Sequence, residues 1–230
     1  MKTKFIKEIK ILGTAIVTGS ILALAVSTQL YAESVQNEIS QNVIRLHVMP
    51  NSDSYQDQAL KNHVRDGVLE HFGSLLNPYD LEESRDFLKE NLDEIEIFAG
   101  RLVHHEGYDY PVLAFMDRVF FPTRDYGNIS FPAGYYEAVR IIIGTGRGSN
   151  WWCVMFPPLC YVDVTSPDED NNTLLSNRLS PETYALMNHV EGGAGVTFRF
   201  KIVEWWQEFM HSNDESDPPI TVLMHDANER

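Results

Sequence analysis

Basic residues are scarce in this chain, and cysteines are scarcer. Eighteen lysines and arginines stand against 33 aspartates and glutamates, and there are two cysteines in 230 residues. The first shortage excludes the ordinary nucleic-acid binder, which needs a cationic footprint to displace counterions. It argues equally against docking on anionic lipid heads. The second excludes a disulfide-dense scaffold and a four-cysteine zinc module. Cys153 and Cys160 are spaced C-x6-C, so the C-x-x-C redox dithiol is missing as well. Catalytic signatures are also lacking: there is no G-x-S-x-G, no Asp-Thr/Ser-Gly and no H-E-x-x-H. No internal repeat is visible.

What is present begins with an export segment. Lys2, Lys4, Lys7 and Lys10 form a basic start, Ile11 to Val26 is apolar, and small residues at Ser27 and Ala32 offer cleavage points. Residues 1–32 therefore read as a signal peptide or, uncleaved, as an N-terminal anchor. Without them 14 basic residues face 32 acidic ones. A partner should then present a neutral or basic face. Residues 33–42 are polar and read as a spacer. Residues 43–210 are long enough for one globular domain. Residues 211–230 read as a mobile acidic tail.

Within the domain, residues 43–48 (VIRLHV) alternate as a half-buried strand, and Pro50 stops it. Ser54 with Asp57 fits a capping box opening a helix over 55–76. A second amphipathic helix is predicted over 81–104, with Gly107 at its end. Residues 111–121, 136–143 and 151–164 have strand composition. Gly144, Gly146 and Gly148 read as a hairpin turn, because no Lys-Ser/Thr follows to make a phosphate cradle. Residues 166–180 read as an acidic loop and 181–190 as a short helix. Residues 196–201 alternate as a strand, and 202–210 fit strand or helix equally. The expected fold is α+β: an N-terminal strand, two helices, a mainly antiparallel sheet and a C-terminal strand or helix.

The stretch Asn150 to Asp163 reads NWWCVMFPPLCYVD. A loop of residues 155–158 would pair Val154 with Leu159 and set Cys153 opposite Cys160. Opposed ladder residues lie ~4.5–5.5 Å apart, inside the ~4.4–6.8 Å that a disulfide accepts. In an exported protein that favours a structural disulfide, with free buried thiols as the alternative. Trp151 and Trp152 must point to opposite faces of a strand. Either both are core, or one is an exposed anchor, for a protein partner or for the cell envelope if the chain is an envelope-binding module.

Other candidates are weaker. His104, His105 and Glu106 lack zinc-ligand spacing and suit a helix C-terminus. His63 and His71 read as packing or surface residues. His47 with Asp53 and Asp57 would be the acid/base group if the protein were an exported envelope hydrolase. Turn and cap duties explain the two carboxylates without catalysis. No cofactor and no metal are expected.

Several motifs are more specific than these. Ile44-Arg-Leu-His-Val48, Asn51-Ser-Asp-Ser54, Asp57-Gln-Ala-Leu-Lys61 and Val64-Arg-Asp66 resemble the opening of stage II sporulation protein R. So do Phe121-Pro-Thr, Tyr126-Gly-Asn128, Phe131-Pro-Ala-Gly134 and Tyr136-Glu-Ala138. Asn150-Trp-Trp-Cys-Val154, Phe156-Pro-Pro-Leu-Cys160 and Val203-Glu-Trp205 complete the likeness over about residues 43–206. Met49-Pro50 and Tyr135 depart from that family's usual residues. The resemblance implies a forespore-made signalling protein, exported between the two membranes. There it would activate a membrane-embedded aspartic protease of the mother cell, which processes a sigma-factor precursor. It implies no catalytic residues. Asn51, Ser52, Asp53, Tyr126, Asn128, Trp151 and Trp152 become the candidate partner contacts.

Overall fold

The computed structural model describes residues 2–160 and 169–188. The chain divides into two units, Met1–Glu38 and Ile39–Arg230. Helix α1 (Lys2–Gln41) makes up the first and ends inside the second. The stretch Ile11–Gln41, with a mean hydropathy of 1.9 in its most apolar window, is long and apolar enough to cross a membrane. Its large aliphatic side chains from Ile11 to Leu30 are bare, with Leu22 and Leu24 at 69% and 71% exposure. Thr14, Thr18, Ser27 and Thr28 each donate a hydroxyl to a carbonyl one turn back, at 2.8–2.9 Å. Polar side chains in the apolar stretch are thus satisfied inside the helix, as a lipid environment requires. That is the build of a signal segment or anchor. The expected spacer is helical as far as Gln41, since residues 33–41 contain no glycine or proline to stop it.

The second unit is α+β, as its pattern predicts. Its elements are β1 (Ile44–Met49), α2 (Tyr55–Phe72), a 3-10 turn (Gly73–Leu75), α3 (Leu81–Glu90) and α4 (Leu92–His105). Then come β2 (Val112–Phe121), β3 (Arg124–Tyr126), β4 (Ile129–Phe131), β5 (Gly134–Ile143), β6 (Trp151–Phe156), α5 (Glu169–Arg178) and α6 (Pro181–Met187). Ser54 caps α2 by accepting from the Asp57 N–H at 3.1 Å, and Gly107 takes φ 85° at the end of α4. The predicted second helix is two helices. Asn91 donates its amide to the Phe87 carbonyl at 2.7 Å and competes with the helical ladder there. The expected acidic loop contains α5. The predicted elements at 161–164, 196–201 and 202–210, and the tail at 211–230, lie outside the described residues.

Among the described residues four strands form one sheet in the order β2-β5-β1-β6, with β3–β4 as a separate hairpin. β1 runs parallel to β5, while β2–β5 and β1–β6 are antiparallel. β1 is central and buried on both faces. Ile44, Leu46 and Val48 meet Leu60, Val64 and Val68 of α2 and Ile95, Ala99 and Val103 of α4 in the main core. Arg45 and His47 point to the other face. On the edge strand β2 the Ala114 N–H is taken by Glu96 at 2.9 Å and the Arg118 N–H by Asp117 at 2.7 Å. Carboxylates at these positions discourage a foreign strand from pairing there.

Cys153 and Cys160 form a disulfide with Cα atoms 5.3 Å apart. The Leu159 N–H donates to the Val154 carbonyl at 3.2 Å, which is the register the spacing predicts. Pro157 and Pro158 sit in the turn, and the Phe156–Pro157 bond is cis. Closing so short a loop constrains the unfolded chain modestly. Cys153→Ala with Cys160→Ala should lower stability by about 2.5 kcal/mol, read as a shift in urea midpoint under non-reducing conditions.

Candidate functional site

The site is built where β1 and β5 end side by side. Because the two strands are parallel, their exits lie at the same end of the sheet. The expected hairpin turn at 144–149 is not a hairpin. β5 and β6 are separated by β1, so this connection crosses over the end of β1, where the chain leaves as Pro50–Ser54. The two loops are tied directly. Thr145 donates its N–H to Asn51 Oδ1 (3.0 Å) and its hydroxyl to the Asn51 carbonyl (2.6 Å). The Gly148 N–H donates to the Pro50 carbonyl (3.3 Å) and the Ser149 N–H to Asp53 Oδ1 (2.6 Å). Gly144 and Gly148 are required by contact. A Cβ on Gly144 would collide with the Asn51 amide, and one on Gly148 with the Ser52 carbonyl.

Helix α2 supports these loops from below. Asn51 Nδ2 (3.0 Å) and Ser52 Oγ (2.5 Å) both donate to Asp57 Oδ2. Burial pushes the Asp57 carboxyl up, but hydrogen bonds from Ser52, Asn51, Tyr110 and Ser54 outweigh it and hold it below its ordinary value. The hydrogen bonds from Ser149 hold Asp53 low as well. Gln58 Nε2 donates to the Ser52 carbonyl at 3.0 Å. Lys61, nearly buried, donates to Gln58 Oε1 at 2.6 Å and to the Ser149 carbonyl at 2.9 Å. Burial and then the neighbouring Arg65 lower its pKa.

The predicted contact residues Asn51, Ser52 and Asp53 therefore commit side-chain groups to hydrogen bonds within the protein, although Asp53 stays exposed. What the platform offers outward is Tyr55, 86% exposed, together with Thr145 and Arg147. Lys61, Gln58, Thr145 and Ser149 are the working residues that sequence reasoning missed. The run of three glycines was the available signal: it marks a backbone passing close to another, which a hairpin turn does not need.

His47 is not brought to Asp53 or Asp57. The strand alternation sets it on the face away from α2, where it stacks on Trp152 with ring centroids 3.7 Å apart and planes 11° off parallel. Phe121 meets both rings edge-on. Neither nitrogen of His47 has a hydrogen-bond partner among the described residues. Burial, then the nearby Arg140 charge, lowers its pKa to about 2. The imidazole is thus neutral at any physiological pH and has no group to exchange a proton with.

Trp151 and Trp152 point to opposite faces, and both are half-buried. Trp151 lies against the helical core with the Arg65 guanidinium 3.9 Å from its ring centroid. Tyr126 is a partly buried tie. Its hydroxyl accepts from Arg45 Nη2 (3.0 Å) and donates to the Trp152 carbonyl (3.3 Å). Burial raises its pKa, against the opposing pull of Arg45. Asn128 donates to Asn188 Oδ1 at 3.0 Å, joining the β3–β4 turn to the end of α6.

Residues 40–166 match the family model for stage II sporulation protein R. The chain belongs to that family. It is also similar to the stage II sporulation protein R of Bacillus subtilis (strain 168), 33% identical over 205 residues that cover 83% of this chain and 92% of that protein. No solved structure matches. The family region takes in the whole sheet, the loop platform and both cysteines, so the tied loops lie within what the family shares.

Two outcomes test this construction. His47 is neutral when folded but free to take a proton near pH 6.5 when unfolded, so the unfolded state binds more protons below that pH. Stability should fall as pH drops from about 6.5, with a limiting slope of about 1.4 kcal/mol per pH unit. His47→Phe keeps the stack and should flatten this limb in urea titrations between pH 7.5 and 5. Gly148→Ala should cost about 1–3 kcal/mol, as overpacking against backbone does, read by the same titration at pH 7.

Proposed function

We propose that this chain is an exported sporulation signal that binds and activates a membrane-embedded aspartic protease, which then processes a sigma-factor precursor. Membership of the stage II sporulation protein R family carries this reading. The apolar helix α1 supports export or anchoring outside the cytoplasm. The dispersal of His47, Asp53 and Asp57 supports a ligand rather than a hydrolase, because no acid/base pair is assembled from them. The loops of 50–54 and 144–149 are tied together by hydrogen bonds at one end of the sheet, and the disulfide closes the turn at the other end, so both ends are braced. Stiffness suits an activator, since little ordering has to be paid on binding. Activation requires tighter binding to the protease's active form than to its inactive one.

The test is co-production with the protease and the sigma precursor in a host that does not sporulate. Processing should rise when the full chain is exported and return to background when residues 1–32 are removed. Equal processing with and without the chain would sink the proposal.

A further inference from the structure

We propose that the groove between α2 and α4 docks a cationic, aliphatic segment of a partner protein. This rests on the activator reading and deepens it, by naming a surface and the chemistry it would grip. The groove encloses about 560 Å3. Its floor is Gly67 of α2 with Phe98 and Leu102 of α4. Gly67 lets α4 pack close against α2 at the floor. A Cβ there would stand 2.6 Å from Leu102 Cδ1, so α4 already fills the place of a side chain.

His63 and His71 lie four residues to either side of Gly67, on the same helical face. His71 stacks flat on Phe98, with centroids 4.9 Å apart and planes 13° off parallel, which gives the groove an ordered aromatic wall. Leu75 closes one end and is 58% exposed, an aliphatic side chain left in water. The apolar half of the surface is therefore laid out along the floor and one end.

The carboxylates that line the groove are Asp66, which Arg65 pairs with from outside the lining, and Glu70. Glu106 stands 3.5 Å from His63 at the far end. No lysine or arginine is among the described lining residues. Arg65 points to Asp66 at 2.7 Å, and Arg101 reaches Phe98 only at 5.9 Å from the ring centroid. Carboxylates above an aliphatic–aromatic floor fit lysine or arginine side chains, whose stems are apolar and whose heads seek acids. An anionic lipid surface would meet the same carboxylates in repulsion. From His63 along α2 to Leu75 in the 3-10 turn the groove runs for roughly 18 Å, the length of about 12 helical residues.

The test uses the full chain in neutral phosphatidylcholine nanodiscs, with the signal from empty nanodiscs subtracted. The probe is a fluorescein-labelled 12-residue peptide of lysine and leucine at helical spacing, compared with the same peptide carrying glutamate for lysine. Saturable binding of the lysine peptide is expected, with the glutamate peptide at least tenfold weaker. Glu70→Lys with Leu75→Lys should weaken the lysine peptide at least tenfold, and Glu70→Gln with Leu75→Ser by a smaller factor. Glu90→Lys with Asp93→Asn, an equal charge change elsewhere, should stay within twofold. Absent saturation, an equal loss from the Glu90/Asp93 pair, or full binding by the groove variants overturns the proposal. So does dissociation of a dimer by the groove variants in sedimentation, which would make the groove a self-contact. If the unmodified chain fails to stimulate processing, the activator reading fails by itself, while the peptide result still decides the groove.

Discussion

Arg45 is a charged side chain at the centre of the sheet, with no measurable exposure. Such burial is costly unless the charge is compensated. Here the compensation comes mostly from aromatic rings. The guanidinium lies 4.2 Å from the Phe121 centroid, 4.8 Å from Tyr136 and 5.6 Å from Phe131. It also donates to the Tyr126 hydroxyl and to the Cys153 carbonyl, the latter at 3.4 Å. Those five partners belong to β2, β3, β4, β5 and β6. One side chain on β1 thus holds the second face of the sheet together and fastens the β3–β4 hairpin over it. The His47–Trp152 stack continues the same layer one step along the strand. This face is organised by ring contacts and a caged charge, whereas the helical face is organised by aliphatic burial.

A strand that must satisfy both layers can be neither slipped nor reversed. A shift of one residue would put Arg45 among Leu60, Val64 and Val68. Fixing β1 fixes where it exits, and the parallel neighbour β5 exits beside it. The chain from β5 must then pass over that exit to reach β6. The glycines at 144 and 148 permit the passage, and the Asn51–Asp53 side chains lock it. The family motif around Asn51 is therefore read best as the fastening of a crossover, with Asp57 and Lys61 of α2 beneath it. Sheet order and loop chemistry are one problem here, solved by the same few residues.

This explains which features the sequence made legible. The strand at 43–48, the Ser54 cap and the disulfide register follow from local rules, and each is found where those rules put it. The opposite faces of Trp151 and Trp152 follow from strand periodicity alone. The misread elements turn on long-range partners. Gly144–Gly148 looks like a hairpin turn because that is its cheapest local reading, and only the insertion of β1 between β5 and β6 changes it. His47 and the Asp53/Asp57 pair look adjacent along the chain, but the alternation of β1 sends the imidazole to the far side of the sheet. Asn91 breaks a helix whose apolar stripe runs on through it. Arg45 was visible only as the polar half of an alternating strand. Nothing local says that its polar face meets a cage of rings instead of water.

The same division bears on how such a chain could act on another protein. A ligand shifts a partner's equilibrium only by its difference in affinity for the two states. That difference is lost if the ligand deforms to fit both. Here the loop ties, the caged arginine and the disulfide all oppose deformation, and most of the polar groups that make them are spent within the protein. Recognition is left to shape, to exposed side chains such as Tyr55 and Arg147, and to acidic surface. A surplus of carboxylates can speed the encounter with a basic partner without adding much affinity. Discrimination between two partner states must then come from the apolar contacts that a rigid surface makes with one and not the other. The α2–α4 groove, with Phe98 and Leu102 on its floor, is where the described surface combines both requirements.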